Sequence, residues 1–277
     1  MQIKSNLRPF VKWVGGKRQL IPVIRQKIPN HFTTYIEPFV GGGALLFELQ
    51  PEKAKINDAN SELINVFKII KDDPYCLLRS LKNHKNTSDY FYSMRALDRN
   101  VTYKGLSPVE KASRLIYLNK TCYNGLYRVN KSGQFNAPFG KYKNPKIVDE
   151  ENILAISEYL NHADLEISNV DFEESLNAVE KGSFVYFDPP YDPSSLSSNF
   201  TNYMPEGFNI FDQVRLRDLC DKLSAKGIKF MVSNASTPFI QDLYKNYHIQ
   251  IIQAKRSVNS NGDKRGFVNE VLITNYE

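Results

Sequence analysis

The chain has 277 residues, 42% hydrophobic and 24% charged, with a formal net charge of +6 and a pI near 9.0. These values fit a globular protein with ample core and a bias toward polyanionic partners. No apolar run approaches a membrane span, the first six residues lack a signal peptide's apolar region, the three cysteines form no CxxC and the four histidines no ligand spacing, so a cytoplasmic protein with reduced thiols, no membrane segment and no metal is expected.

The first motif in chain order is Pro9-Phe10-Val11-Lys12-Trp13-Val14-Gly15-Gly16-Lys17-Arg18. It is not a phosphate loop, because the GxxxxGK spacing is missing and Arg18 stands where a magnesium-binding Ser or Thr would be. It reads as a glycine turn opening a helix from Gln19 to Ile28, with Trp13 either a core ring or a ligand contact. A short strand at Thr33 to Glu37 then runs through Pro38-Phe39-Val40 into Gly41-Gly42-Gly43 and the helical pattern of Ala44, Leu45, Phe47 and Leu49. That sequence lets backbone approach a nucleotide closely. The GxGxxG dinucleotide fingerprint is absent, so a nucleoside without phosphate fits equally well. A second strand, Ala54 to Asn57, ends at Asp58, where an acid can accept from ribose hydroxyls or cap the next helix beside Asn60.

From Ser61 to about Leu160 the pattern is helical and polar. Between Lys111 and Lys146, eight Lys and Arg occur with no Asp or Glu among 36 residues. Tyr117, Tyr123, Tyr127, Phe135, Phe139 and Tyr142 are interleaved with Asn119, Asn124, Asn130, Gln134 and Asn136. Cations suit phosphates, amides and arginine suit base edges, and aromatic rings suit unstacked bases. A solvated basic face is the plainer alternative.

A third strand, Leu165 to Val170, ends at Asp171-Phe172. The fourth, Phe184 to Phe187, is stopped by Asp188-Pro189-Pro190-Tyr191, since neither proline can donate a ladder hydrogen bond. This leaves a stiff loop at the carboxyl end of a strand, where open α/β sheets place ligands. The Asp188 carboxylate and Pro189 carbonyl are two acceptors beside the Tyr191 ring, a set suited to a planar substrate with an exocyclic amine. Ser194 to Met204 reads as an active-site loop. A helix at Asp212 to Lys226, a fifth strand at Ile228 to Val232, and a pair at His248 to Ile252 and Asn269 to Ile273, joined by a basic loop from Lys255 to Gly266, complete the chain. The alternation predicts a doubly wound α/β sheet with an antiparallel C-terminal edge and a helical insertion.

Trp-Val-Gly-Gly-Lys, Glu-Pro-Phe-Val-Gly-Gly-Gly, Asn57-Asp58, Asn124-Gly125-Leu126 with Arg128, and Asp-Pro-Pro-Tyr occur here in the order found in Dam-type (class alpha, D12) DNA adenine N6-methyltransferases. From about Pro9 to Tyr276 the chain resembles that family, and within it the DpnII-type GATC modification methylases. The resemblance implies a Rossmann-like fold, S-adenosylmethionine (AdoMet) as donor, duplex DNA as partner, and functional pairing with a restriction endonuclease. It implies a discontinuous catalytic domain, 1–62 and 161–277, and a target-recognition domain, 63–160. Catalytic roles fall on Asp188, Pro189, Pro190 and Tyr191, and cofactor contacts on Trp13, Lys17, Asp58 and Asp188. The turn residues Glu37, Pro38, Phe39, Gly41 and Gly43, and the strand end Asp171-Phe172, join that cofactor site. DNA contacts fall on Lys12, Tyr123, Asn124, Leu126, Arg128, Pro138, Lys141 and Tyr142. Lys141 stands where arginine is common in the family, and a lysine cannot make arginine's bidentate fork. A similar loop can also serve cytosine N4 or a glutamine amide, and a catalytically silent DNA-binding protein would need only the insertion.

Overall fold

A computed structural model of the chain describes residues 6–13, 15–17, 19–192, 208–255 and 267–277. Seven strands form one sheet: β1 Tyr35–Glu37, β2 Lys53–Asn57, β3 Asp164–Ser168, β4 Phe184–Phe187, β5 Lys229–Ala235, β6 His248–Lys255 and β7 Phe267–Thr274. Their order is β3-β2-β1-β4-β5-β7-β6. The first five are parallel, and β7 runs antiparallel to both β5 and β6. The mixed α/β sheet with an antiparallel C-terminal edge is the expected architecture.

Both sheet faces are buried, and side chains alternate between them along each strand. Tyr35, Phe184, Tyr186 and Met231 pack on one face, in a core continuous with α2 (Ala44–Leu49), α3 (Ser61–Asp72), α4 (Pro74–Lys82), α6 (Pro108–Thr121) and α7 (Glu150–His162). Ile36, Val185, Phe187, Phe230 and Val232 pack on the other, under α8 (Ile210–Ala225) and α9 (Pro238–Leu243). The helices α3 to α7, with α5 at Ser88–Ala96, lie between β2 and β3 in the chain, so the helical segment shares the core of one sheet face.

Several boundaries differ from the sequence reading. The first helix, α1, spans Ile21–Lys27, with Pro22 in its opening turn, where a missing N–H costs nothing. The helix expected from Asp212 starts earlier. Asn209 accepts from the Phe211 and Asp212 N–H groups, and Asp212 accepts in return from the Asn209 N–H, a capping box that moves the start forward. Strand β5 continues through Ser233 and Asn234 to Ala235, because β7 pairs with all three; their polarity serves the site. The loops expected at Ser194 to Met204 and after Lys255 lie outside the described residues.

Candidate active site and DNA-facing surface

Strand β4 is wholly buried and delivers Asp188 to the carboxyl edge of the sheet, between β1 and β5. The loop beyond it is held residue by residue. Gln213 Nε2 of α8 donates to the Pro190 carbonyl at 3.0 Å. The Tyr191 hydroxyl donates to Glu270 Oε2 at 2.7 Å. The Asp192 N–H donates to Asn234 Oδ1 at 3.1 Å, and Thr237 Oγ1 donates to Asp192 Oδ2 at 2.7 Å. Asn234 and Gln213 are themselves buried and joined at 3.0 Å. No donor among the described residues reaches the Pro189 carbonyl. Asp188 Oδ1 is buried without an aligned donor, although Lys17 Nζ lies 2.8 Å from it as an ion pair. That ammonium also donates to the Gly15 carbonyl at 2.9 Å and lies 4.2 Å from the Tyr191 ring centroid. Lys17 thereby covers both the Asp188 carboxylate and the face of the Tyr191 ring.

The glycine turn after β1 is pinned by Asp58. Its Oδ2 accepts from the Gly41 N–H at 3.0 Å and its Oδ1 from the Asn60 N–H at 2.8 Å. Asn60, not Asp58, caps α3 by accepting from the Leu63 N–H. Each Asp58 oxygen keeps a lone pair for a ligand hydroxyl. Gly41 has φ +50°, and a Cβ there would lie 2.9 Å from the Trp13 indole, so the turn and the ring are packed together. Trp13 stacks on Tyr127 at 4.8 Å. Phe39 and Phe172 lie 5.4 Å apart, with Phe208 against both. Pro38 offers its carbonyl to Asn57, and Gly43 is the N-cap of α2. Asp171 is engaged by Arg215 at 2.8 Å.

Three acids converge on this edge. Burial pushes Asp58 and Asp188 up to about 6. In Asp188, Lys17 opposes that rise and Glu270 adds to it. Glu37, buried and accepting from the Tyr35 hydroxyl at 2.9 Å, is held well above the usual carboxylate range, first by burial and further by the charges of Asp188 and Asp58. Such a site gains most from a ligand that brings positive charge and hydroxyl donors.

The expected DNA-facing residues gather on one hairpin-like segment after α6. The Tyr123 N–H donates to the Pro138 carbonyl, and Cys122 bridges Phe139. Tyr123, Asn124, Arg128, Pro138, Lys141 and Tyr142 are exposed, Lys12 is exposed beside them, and Leu126 is half-buried. Arg128 donates from Nε to Asn136 Oδ1 at 2.6 Å and from Nη2 to the Asn136 carbonyl at 3.1 Å. Not every residue of the basic run faces out. Arg114 is 2% exposed and pairs with Asp98 at 2.8 Å, and Tyr117, Tyr127 and Phe135 are core. Their helical and strand spacing belongs to packing, which charge counting does not register.

Residues 13–258 match the family described as D12 class N6 adenine-specific DNA methyltransferase. The chain belongs to that family. It is 50% identical over 275 residues, 99% of this chain and 97% of the relative, to the Type II methyltransferase M1.LlaDCHI of Lactococcus lactis subsp. cremoris. It is 41% identical to the Type II methyltransferase M.MjaIII of Methanocaldococcus jannaschii, over 98% of this chain and 100% of the relative. A DNA adenine methylase of Serratia marcescens is 36% identical over 98% of each. The protein is therefore an adenine-specific DNA methyltransferase.

Sequence reading counted Asn119 among the amides suited to base edges, but it is 0% exposed, accepts from the Lys12 N–H and donates to the Lys12 and Gly125 carbonyls. For a methyltransferase of this family, sequence reading also left out residues that hold the site. Gln213, Asn234 and Glu270 brace the loop from Pro190 to Asp192. The one available signal was a polar residue set in a buried apolar strand, as in Val271-Leu272-Ile273 after Glu270.

Proposed function

We propose that the protein transfers the methyl group of AdoMet to N6 of an adenine flipped out of duplex DNA, within GATC. The observation that carries the reading is a pair of acceptors beside the ring of Tyr191: Asp188 Oδ1, which the Lys17 ammonium alone meets among the described residues, and the Pro189 carbonyl, which no described donor reaches. Two acceptors match the two hydrogens of an exocyclic amine, and a base inside a duplex cannot reach them, so extrusion at a cost of a few kcal/mol is required. Tyr191 stacks on the extruded base. Asp188 and the Pro189 carbonyl accept from N6 and draw its lone pair out of conjugation with the ring. Lys17 withdraws from Asp188 as the amine arrives. Rate comes from positioning and polarisation more than from a strong base.

AdoMet supplies an electrophilic methyl on a cationic sulfur. The residues fit it: three buried acids favour its positive charges, Asp58 accepts from ribose hydroxyls, and Trp13, Phe39 and Phe172 offer apolar faces to its purine. Lys17, Glu37, Pro38, Gly41, Gly43 and Asp171 complete that cofactor assignment. Residues 63–160 form the target-recognition domain and 1–62 with 161–277 the catalytic one. Lys12 of the catalytic domain and Tyr123, Asn124, Leu126, Arg128, Pro138, Lys141 and Tyr142 of the target-recognition domain contact DNA, with Arg128 on a guanine edge. The relatives named Type II methyltransferases support a partner endonuclease, and a DNA substrate supports a cytoplasmic setting. The test is transfer from labelled AdoMet to duplex oligonucleotides followed by nucleoside analysis. N6-methyladenine confined to GATC is expected; label in cytosine, in protein, or in any adenine regardless of context overturns the reading.

A further inference from the structure

Strand β7 has a charged residue where its neighbours are apolar. Val271, Leu272 and Ile273 are buried, and Glu270 stands opposite Ala235 of β5 and Ile252 of β6. By strand alternation Glu270 shares the sheet face of Leu272, which is also the face of Tyr186 in β4 and Met231 in β5. A carboxylate set among such residues is expensive to desolvate unless it is used. Its use is visible: Oε2 accepts from the Tyr191 hydroxyl at 2.7 Å. Tyr191 comes from a loop whose other anchors, Gln213 to Pro190 and Asn234 to Asp192, grip the backbone. Neither fixes the tyrosine ring. Glu270 alone among these anchors holds the side chain, at its far end, while Lys17 lies over its face.

We infer that Glu270 is a positioning residue for methyl transfer: it fixes the plane of the Tyr191 ring against which the target base stacks. The inference rests on the catalytic reading of Asp188 and Tyr191 above. The groups that face Asp188 electrostatically are Lys17 from the N-terminal segment, Glu37 of β1, Tyr186 of its own strand, Tyr191 and Glu270. Burial is the main cause of Asp188's upward shift, Lys17 counters it, and Glu270 is the charge that adds to it.

The test compares Glu270→Ala and Glu270→Gln with wild type and with Asp188→Ala, using the full chain and a cognate duplex. Single-turnover rate is measured at saturating AdoMet and DNA, and flipping is read from a duplex with 2-aminopurine at the target position. Glu270→Ala is expected to lose about 100-fold in single-turnover rate, the scale of a small misplacement of reacting groups, with AdoMet and DNA affinities unchanged and brighter 2-aminopurine because the base is no longer stacked. Glu270→Gln keeps an acceptor for the tyrosine hydroxyl, so it should restore the quenched emission and most of the rate. A role in folding alone would leave that emission unchanged. Wild-type rate and emission in Glu270→Ala, or emission in Glu270→Gln as bright as in Glu270→Ala, overturns the inference. If Asp188→Ala is inactive in the same series, only the role of Glu270 has failed; if Asp188→Ala is active, the catalytic reading beneath it has failed.

Discussion

Asn119 pairs with both backbone groups of Lys12, accepting from its N–H at 2.8 Å and donating to its carbonyl at 2.8 Å. The same carboxamide donates to the Gly125 carbonyl at 3.0 Å. Gly125 has φ +64°, and a Cβ there would lie 2.4 Å from Lys12 Cδ, so the N-terminal segment and the DNA-facing turn are in contact as well as hydrogen-bonded. Asn152 of α7 repeats the arrangement on Arg8. The segment that carries Trp13 and Lys17 to Asp188 is thus strapped to α6 and α7.

Asn119→Ala should therefore destabilise the fold by about 2–4 kcal/mol, since buried backbone groups lose partners and a small cavity opens. Asn119→Asp keeps the acceptor for Lys12 but loses both donations, placing a buried carboxylate near two carbonyls, and should be worse. Urea unfolding midpoints of the two variants check this. Equal or higher stability in Asn119→Asp would contradict the assigned bonds.

Cofactor affinity should depend on pH in a defined direction. Asp58 and Asp188 rise from the ordinary 3.8 to about 6 on folding. The folded chain therefore holds protons that the unfolded chain has released between those values. Stability of the free protein falls as pH rises through that window and levels above it. Hydroxyl and ammonium donors bind the ionised carboxylates, so AdoMet affinity should rise as pH rises to about 6 and then flatten, at up to about tenfold per pH unit for each group below it. Calorimetric titration from pH 5 to 8 measures it, and Asp58→Asn should flatten the profile while weakening binding at pH 7.5.

Lys131 and Lys143 are exposed. If they neutralise phosphates, log affinity should fall with log salt by about 0.9 per contacted phosphate, and replacing either by Ala should reduce the slope without changing which sites are methylated. Filter binding across a salt series gives the slope. An unchanged slope in both variants would leave them as solvated surface charges.

Arg128 is held by Asn136 along its Nε–Nη2 edge. The Nη1–Nη2 edge remains for two parallel donations to guanine O6 and N7. Arg128→Ala should cost about 1–3 kcal/mol at GATC and much less on non-cognate duplexes. Asn136→Ala should weaken the same discrimination by loosening the fork. Methylation of oligonucleotides altered at one base of GATC measures both. A uniform loss across the panel would make Arg128 a backbone clamp.

Much of this protein was determined by local sequence. The strand–glycine–helix unit at Tyr35 to Leu49, the buried run Phe184 to Phe187 and its proline stop follow from backbone propensities that act over a few residues, and each element formed where that chemistry put it. Charge counting failed at Arg114 and composition failed at Tyr117 and Phe135, because burial is decided by what packs opposite. Tertiary structure alone decided that Glu270 reaches Tyr191 across 79 positions, that Lys17 rests on Asp188, and that Asn119 joins Lys12 to Gly125. The physical reason is one of range. Hydrophobic period and turn chemistry are written in neighbouring residues, whereas a buried polar group is satisfied by whichever partner the topology brings within about 3 Å.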